Sequence, residues 1–298
     1  MATDGVKIID SDTAYDTYWG IMDLYDSGAD LETIDKEFPI IQTEYYDDFD
    51  NEIYVTSCAL ALWEIGQMSE YKLTYIKTII EKGACVKVWT EEHNPEEGKA
   101  RQKELDKFWK KISQVNTKVR ARKKYRKITN FYFQPDDLLT FRLNDGNYRS
   151  VVCATIEQYR GQCNYILVPT TYDSSKKPTI EDMIDKEILG RQIGSGYGQQ
   201  TTKEQQPGIE RIWKYIGGNC NFFFGVVKLA VDHKDFINFK DKFEKVGTLQ
   251  IVEGLKQTGT FGYEDNFERF EDIFGNLEKY ISNFRFQKYP IKVLCGIE

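Results

Sequence analysis

Histidine is scarce in this sequence, which has only His93 and His233 among its 298 residues. Histidine is the side chain that most often serves as a general base or a metal ligand near neutral pH. The six cysteines include no CxxC pair and no cysteine–histidine spacing suited to zinc. We therefore expect no metal, no cofactor and no catalytic residue, and we predict that the protein is not an enzyme. The cysteines are interpreted as reduced thiols in the core.

Long apolar runs are also missing. The sequence has no stretch of about 18 uninterrupted apolar residues that could span a membrane. Its first residues, MATDGVKIIDSD, lack the basic and apolar regions of a signal peptide. These features predict a cytoplasmic protein with no membrane partner. The formal net charge of -7 argues against a nucleic-acid partner, which usually requires basic surface, and it fits a basic protein partner better.

The first part of the chain has the apolar spacing of helices. In the clearest run, from Phe49 to Ile65, apolar and small residues recur every three or four positions. Gly83 is placed to end a helix that begins at Tyr71, and Pro95 suits the first turn of another. The predicted helices cover residues 13–25, 31–37, 49–65, 71–82 and 95–113.

Beyond residue 116 the apolar period changes to two, which is typical of strands. Leu139, Phe141 and Leu143 alternate with their neighbours, and the sequence Asn-Asp-Gly-Asn at 144–147 suits a hairpin turn. We expect strands at 138–143, 148–155, 165–168, 221–230, 248–252 and 291–294, helices at 180–189, 236–243 and 263–284, and a flexible stretch at 190–208.

The change of period predicts two domains and an α+β fold. A helical N-terminal domain covers residues 1–116, and a twisted antiparallel β-sheet domain with covering helices covers residues 128–298. Between them, residues 117–127 carry many basic and few apolar side chains, so this segment is interpreted as a basic linker.

The segment from Phe133 to Thr155, FQPDDLLTFRLNDGNYRSVVCAT, resembles the opening of the Immunity protein 26 family of bacterial polymorphic toxin systems. The family has a Gly-Asp step, an aromatic-containing strand, an Asp-Gly turn and a second strand, although no glycine precedes Asp137 here. The matching positions are Asp136, Asp137, Phe141, Leu143, Asp145, Gly146, Tyr148, Val151 and Val152. The resemblance implies an immunity-type protein, from about residue 126 onward, that binds and neutralises a cognate bacterial toxin by steric occlusion. No catalytic residue is implied.

An acidic and aromatic stretch precedes the clearest predicted helix. It places Glu44, Tyr45, Tyr46, Asp47 and Asp50 within seven positions. Aromatic anchors beside carboxylates suit a surface that steers and then holds a basic partner, so these five residues are the predicted partner-binding site. The alternative is that Asp48 or Asp50 caps the helix and the tyrosines are buried.

Three other patterns have both a functional and a structural interpretation. The basic residues of 118–127 could contact nucleic acid, which would make the protein an adaptor, but a solvated linker is favoured. The glycines of 193–198 could hold a phosphate, but they lack the motif that would support this, and a flexible surface loop is favoured. The carboxylates at 136–137 and at 91–92, beside His93, could act as acid and base, for example in an enzyme with an inter-domain cleft, but turns are favoured.

Overall fold

The computed structural model describes residues 5–41, 46–195, 198–217, 222–256 and 259–296. The chain divides into two compact units, residues 1–124 and 125–298. This division falls inside the predicted linker 117–127. Within the described ranges, no helix is long and apolar enough to cross a membrane.

The first unit is helical, and each predicted helix is present within a few residues of its expected bounds. A further short helix and a π-helical turn at Trp89–His93 were not predicted. The helices are α1 (Asp12–Ser27), α2 (Leu31–Glu37), α3 (Asp48–Glu64), α4 (Glu70–Lys82), α5 (Ala84–Val88) and α6 (Pro95–Ile112).

Local capping explains where these helices begin and end. The Ser69 side chain accepts a hydrogen bond from the Lys72 amide at the start of α4, and the Asn94 side chain accepts from two amides at the start of α6. Gly83 ends α4 with φ of 62°, in the left-handed region, as predicted. Pro95 occupies the first turn of α6, also as predicted.

Helix α3 is the centre of the first unit. It is buried nearly continuously from Glu52 to Leu62, and it packs against α1, α4 and α6. Within it, the buried Glu52 carboxylate pairs with Arg101 of α6 at 3.1 Å and accepts a hydrogen bond from the Cys85 amide at 3.0 Å. This pairing satisfies a charge that would otherwise strongly destabilise the core.

The second unit is built on one eight-stranded sheet, which confirms the α+β fold. Seven strands follow the order β6-β1-β2-β3-β5-β4-β8 with antiparallel neighbours, while β7 pairs with β5 in parallel. The strands are β1 (Asp137–Arg142), β2 (Tyr148–Tyr159), β3 (Gln162–Pro169), β4 (Glu187–Ser195), β5 (Phe222–Asp232), β6 (Glu244–Thr248), β7 (Gly259–Tyr263) and β8 (Gln287–Pro290).

Helices cover both faces of this sheet. One face forms a large core with Trp213 and Tyr289, and the other forms a core of phenylalanines around Phe141. The helices are α7 (Ile180–Ile184), α8 (Gln199–Gln205), α9 (Glu210–Tyr215), α10 (His233–Phe236), α11 (Glu253–Lys256), α12 (Phe267–Gly275), α13 (Leu277–Phe284) and α14 (Ile291–Leu294).

Several predicted elements of the second unit are wrong. The expected flexible stretch at 190–208 contains most of β4 and all of α8, and the expected strand at 291–294 is helix α14. The single helix expected at 263–284 is two helices that begin after β7. Strand β4 forms because it pairs with the distant strands β5 and β8, which overrides its local pattern, and the Asn276 cap divides the long helix in two.

Candidate functional site

The predicted partner-binding stretch lies at the start of α3. Glu44 and Tyr45 lie outside the described residues. Tyr46 is 37% exposed and its ring stacks on the buried Tyr54 ring at 5.3 Å. Asp47 is the helix cap, because its carboxylate accepts a hydrogen bond from the Asp50 amide at 2.8 Å. The expectation that Asp48 or Asp50 would cap this helix is therefore wrong.

Asp50 is less available to a partner than Asp47. Its side chain is partly buried, and burial together with the neighbouring Asp47 carboxylate raises the pKa of Asp50 above its usual value. Asp47 is exposed at the surface. The structure thus brings Tyr46, Asp47 and Asp50 together, but part of this acidity stabilises the helix.

The first part of the basic segment is attached to the helical unit rather than free. Residues 116–123, which we call the strap, run along α1 and the end of α3. The two terminal nitrogens of Arg120, Nη1 and Nη2, each donate to the Asp26 carboxylate at 2.7 Å. Arg122 donates to the Ala29 carbonyl at 2.9 Å. These two arginines therefore serve the fold, which weakens the case for a nucleic-acid interface.

The glycine-rich stretch is not a phosphate site in the described residues. Ile193, Gly194 and Ser195 belong to β4, which pairs with β5, while Gly196 and Tyr197 lie outside the described residues. A phosphate cradle requires a glycine-rich loop that leads into a helix, whereas residues 193–195 form part of a strand.

The adjacent carboxylates Asp136 and Asp137 each have a lysine partner. Asp136 accepts from Lys256 at 2.7 Å, and Asp137 pairs with Lys245 at 2.5 Å. Asp136 has a φ of 68° and its amide donates to the Cys153 carbonyl, so it turns the chain into β1. The two carboxylates are held apart by different lysines, which is a structural arrangement rather than an acid–base pair.

The second carboxylate pair has no shared pocket either. Glu91 and Glu92 are exposed in the π-helical turn, where the His93 ring stacks on Trp89 at 4.5 Å. Within the described part of the chain, no group of three or more histidine, cysteine, aspartate or glutamate side chains is placed to hold a metal ion.

The described cysteines are free thiols, and four of the five are buried, as predicted. Burial raises the pKa of Cys58 and of Cys153 to about 12, so their thiols stay protonated near neutral pH. A protonated, buried thiol is a poor nucleophile. Cys220 lies outside the described residues.

Sequence reasoning missed a cleft in the second unit that has both polar and aromatic lining residues. It has a volume of about 530 Å³ and lies between β7, α12 and α13. Thr260 and Gly262 of β7 and Glu264 just after it line one side, since alternate residues of an extended chain share a face. Asn266 caps α12 and Asn276 caps α13, which fixes the helix pair that forms the other side.

The floor of this cleft contains a buried carboxylate. Glu264 is 7% exposed, and its Oε2 has no hydrogen-bond partner among the described residues. Thr260 Oγ1 is also buried without a described partner. Burial is the main cause that raises the pKa of Glu264, and the nearby Asp265 adds to it, while Arg269 acts in the opposite direction. A buried acceptor without a donor lowers the free energy of unfolding, so these two groups make the fold less stable.

The walls and rim of the cleft are aromatic and charged. Tyr280, Phe284 and Phe286 form an aromatic group with ring centroids 5.0 to 5.6 Å apart. Phe284 is 54% exposed at the rim, where Arg269 and Lys279 are exposed as well. Burial and the Glu264 carboxylate raise the pKa of Tyr280 to about 12, so its hydroxyl remains a hydrogen-bond donor.

A weak signal for the cleft is present in the sequence. Thr260, Gly262 and Glu264 alternate, and Asn266 follows as a helix cap. The helical spacing of Phe267, Phe270 and Phe274 instead predicts a long helix that begins in this stretch.

No family model, curated protein or solved structure matches this chain. A buried acceptor beneath an aromatic rim can bind a cationic or hydrogen-bond-donating group, and an exposed ring beside it can act as an anchor for a protein partner.

Proposed function

We propose that this protein is an immunity-type inhibitor that binds a basic bacterial toxin and neutralises it by steric occlusion, without catalysis. The observation that carries the proposal is the cleft of the second unit, which the buried Glu264 carboxylate lines together with three aromatic rings, of which Phe284 is exposed. Such an arrangement suits capture of a cationic side chain from a protein surface.

The acidity of the chain supports the same proposal. A net charge of -7 attracts a basic partner during diffusional encounter, and the exposed Asp47 near Tyr46 adds local acidity in the first unit. The resemblance of residues 133–155 to the Immunity protein 26 family points to the same class of partner. The proposed location is the bacterial cytoplasm, where a protective protein would meet such a toxin.

The direct test is to co-express the protein with the polypeptide encoded immediately upstream of it. We expect tight binding in a pull-down, and rescue of growth in cells that express that polypeptide. If the two proteins do not bind and growth is not rescued, the result counts against immunity toward this partner.

Two variants locate the contact surface once a partner binds. Replacement of Phe284 by alanine removes the exposed ring at the cleft rim and should weaken binding by about tenfold or more. Tyr159→Ala is the matched control, because Tyr159 is 55% exposed at the end of β2 and does not line the cleft. Charge reversal at Asp47 and Asp50 that leaves affinity intact would exclude the predicted site at the start of α3.

The nucleic-acid adaptor remains an alternative prediction. It would show as salt-sensitive binding to DNA or RNA, lost when Lys124, Arg126 and Lys127 are replaced. Arg120 should be left unchanged in this experiment, because its side chain holds the strap in place.

A further inference from the structure

Two buried acceptors in the cleft lie on the same stretch of chain. The Glu264 side chain turns back over Gly262, since a Cβ atom placed on Gly262 would lie 3.0 Å from Glu264 Oε1. Thr260, whose Oγ1 is the second acceptor without a described partner, lines the same cleft. The two groups offer acceptors from two side chains to one ligand.

The nearest cation to this carboxylate is Arg269, which belongs to the same chain. Its Nε lies 3.6 Å from Glu264 Oε2, which is too long for a hydrogen bond. The Arg269 side chain is 60% exposed, so it is free to move away into solvent. The guanidinium thus lies near the carboxylate without forming the paired hydrogen bonds that arginine and carboxylate usually make.

The aromatic group beside these acceptors favours a planar cation. Tyr280 and Phe284 present ring faces or edges to the cleft, with centroids 5.0 Å apart. A guanidinium can stack on an aromatic ring while its N–H groups reach two separate acceptors. An ammonium is a point charge with no flat face, so it would use the same cleft less well.

We propose that the cleft binds the guanidinium of an arginine side chain inserted by the protein partner, and that this guanidinium displaces Arg269 from the Glu264 carboxylate. The inference rests on the proposed function, because it names the group of the partner that the site receives. Thr260 and Glu264 bind the cation, and one ring of the Tyr280–Phe284 pair stacks on it.

The experiment titrates the intact protein with the blocked peptide acetyl-Gly-Arg-Gly-amide and follows backbone amide signals by NMR. We expect saturable shifts at Gly262 and neighbouring residues. The matched citrulline peptide, which has the same shape without the charge, should give none. The lysine peptide should bind at least about fivefold more weakly, since it cannot span both acceptors.

Four variants test the roles of individual side chains. Glu264→Gln should weaken binding of the arginine peptide by about tenfold or more, and Thr260→Val by about fivefold. Arg269→Gln should strengthen it, because the internal competitor is gone. Glu268→Gln is the control, since Glu268 is exposed, directly precedes Arg269 in the chain and does not line the cleft.

Each contrary result has a defined meaning. Absence of saturable shifts in both the wild type and the Arg269→Gln protein would overturn the site. Equal binding of lysine and arginine peptides would overturn the choice of guanidinium, and tighter binding of free L-arginine than of the blocked peptide would overturn a protein as its source. Growth rescue without peptide binding would reject only this inference, whereas peptide binding without rescue would reject only the proposed function.

Discussion

At the scale of single residues, the buried Glu264 carboxylate lowers the stability of the fold and is the group proposed to bind the guanidinium of the partner. The group is 7% exposed and one of its oxygens has no described hydrogen-bond partner. Natural proteins retain such costs mainly where function requires them. Because burial raises the pKa of Glu264, its cost in stability depends on pH.

Replacement of Glu264 by glutamine should stabilise the protein near neutral pH by about 1 kcal/mol. Burial raises the pKa of Glu264 in the folded protein above 4.5. The stability that the protonated side chain contributes is therefore fully present below pH 4.5, and it is lost as the pH rises through the pKa of the folded state. The advantage of the variant over the wild type should therefore grow with pH over that window. Urea unfolding at several pH values measures it.

The control for this measurement is Glu268→Gln, which removes the same charge from an exposed position in the first turn of α12. That change should slightly lower stability, because an acidic side chain favours a helix N-terminus. If both variants had the same effect at every pH, burial of Glu264 would not be the cause.

At the scale of elements, the strap shows how a charged segment can become part of a fold. Asp26 is 4% exposed on its side chain. Burial alone would raise the pKa of its carboxyl, but hydrogen bonds from Arg120 and from the Lys123 amide outweigh it and hold the pKa below its usual value. The Tyr25 hydroxyl also donates to the Arg120 carbonyl at 2.9 Å.

Arg120→Ala should destabilise the helical unit by about 2 kcal/mol, because it leaves the Asp26 carboxylate buried without its cation. The paired Asp26 carboxylate contributes stability above pH 3.8, and this is lost as the pH falls through the pKa of Asp26 in the folded state. The difference in the free energy of unfolding between the variant and the wild type should therefore become smaller in acid. Denaturant melts followed by the tryptophans of this unit would show it. Lys124→Ala, an exposed position next to the strap, should have little effect.

Strand β7 depends on a glycine where it meets β5. A Cβ atom at Gly259 would lie 2.2 Å from the Val226 carbonyl oxygen, a backbone atom that cannot move without disturbing the strand pair. Gly259→Ala should therefore cost about 1 to 3 kcal/mol and disrupt the cleft that β7 lines. Gly275→Ala is the control, because nothing lies within 4 Å of the added carbon. Calorimetric melting of both variants tests the contrast, and equal melting temperatures would contradict it.

At the scale of the whole molecule, each unit has its own buried core, and the strap belongs to the first. A fragment of residues 1–124 should fold cooperatively and be more stable than a fragment of residues 1–116, which lacks Arg120. Circular dichroism melts of the two fragments test this. Equal melting temperatures would show that the strap does not stabilise the helices.

The α+β class and the five longest helices of the first unit follow from local features of the amino-acid sequence. Their signals are local, because Ser69, Asn94 and Gly83 act on amides or backbone angles within a few residues of themselves. The hairpin at 144–147 was predictable for the same reason, since turn residues and alternation lie side by side in the sequence.

The positions of β4, β7 and the strap depend on tertiary contacts between segments that are distant in the chain. Strand β4 pairs with β5 and β8, which lie far away in the chain, and no local pattern specifies such partners. Arg120 meets Asp26 across 94 positions, so its basic run looked like a solvated linker. The cleft depends on tertiary pairing and on local capping. Strand β7 pairs with β5, α12 and α13 are capped separately, and together these elements bury Glu264.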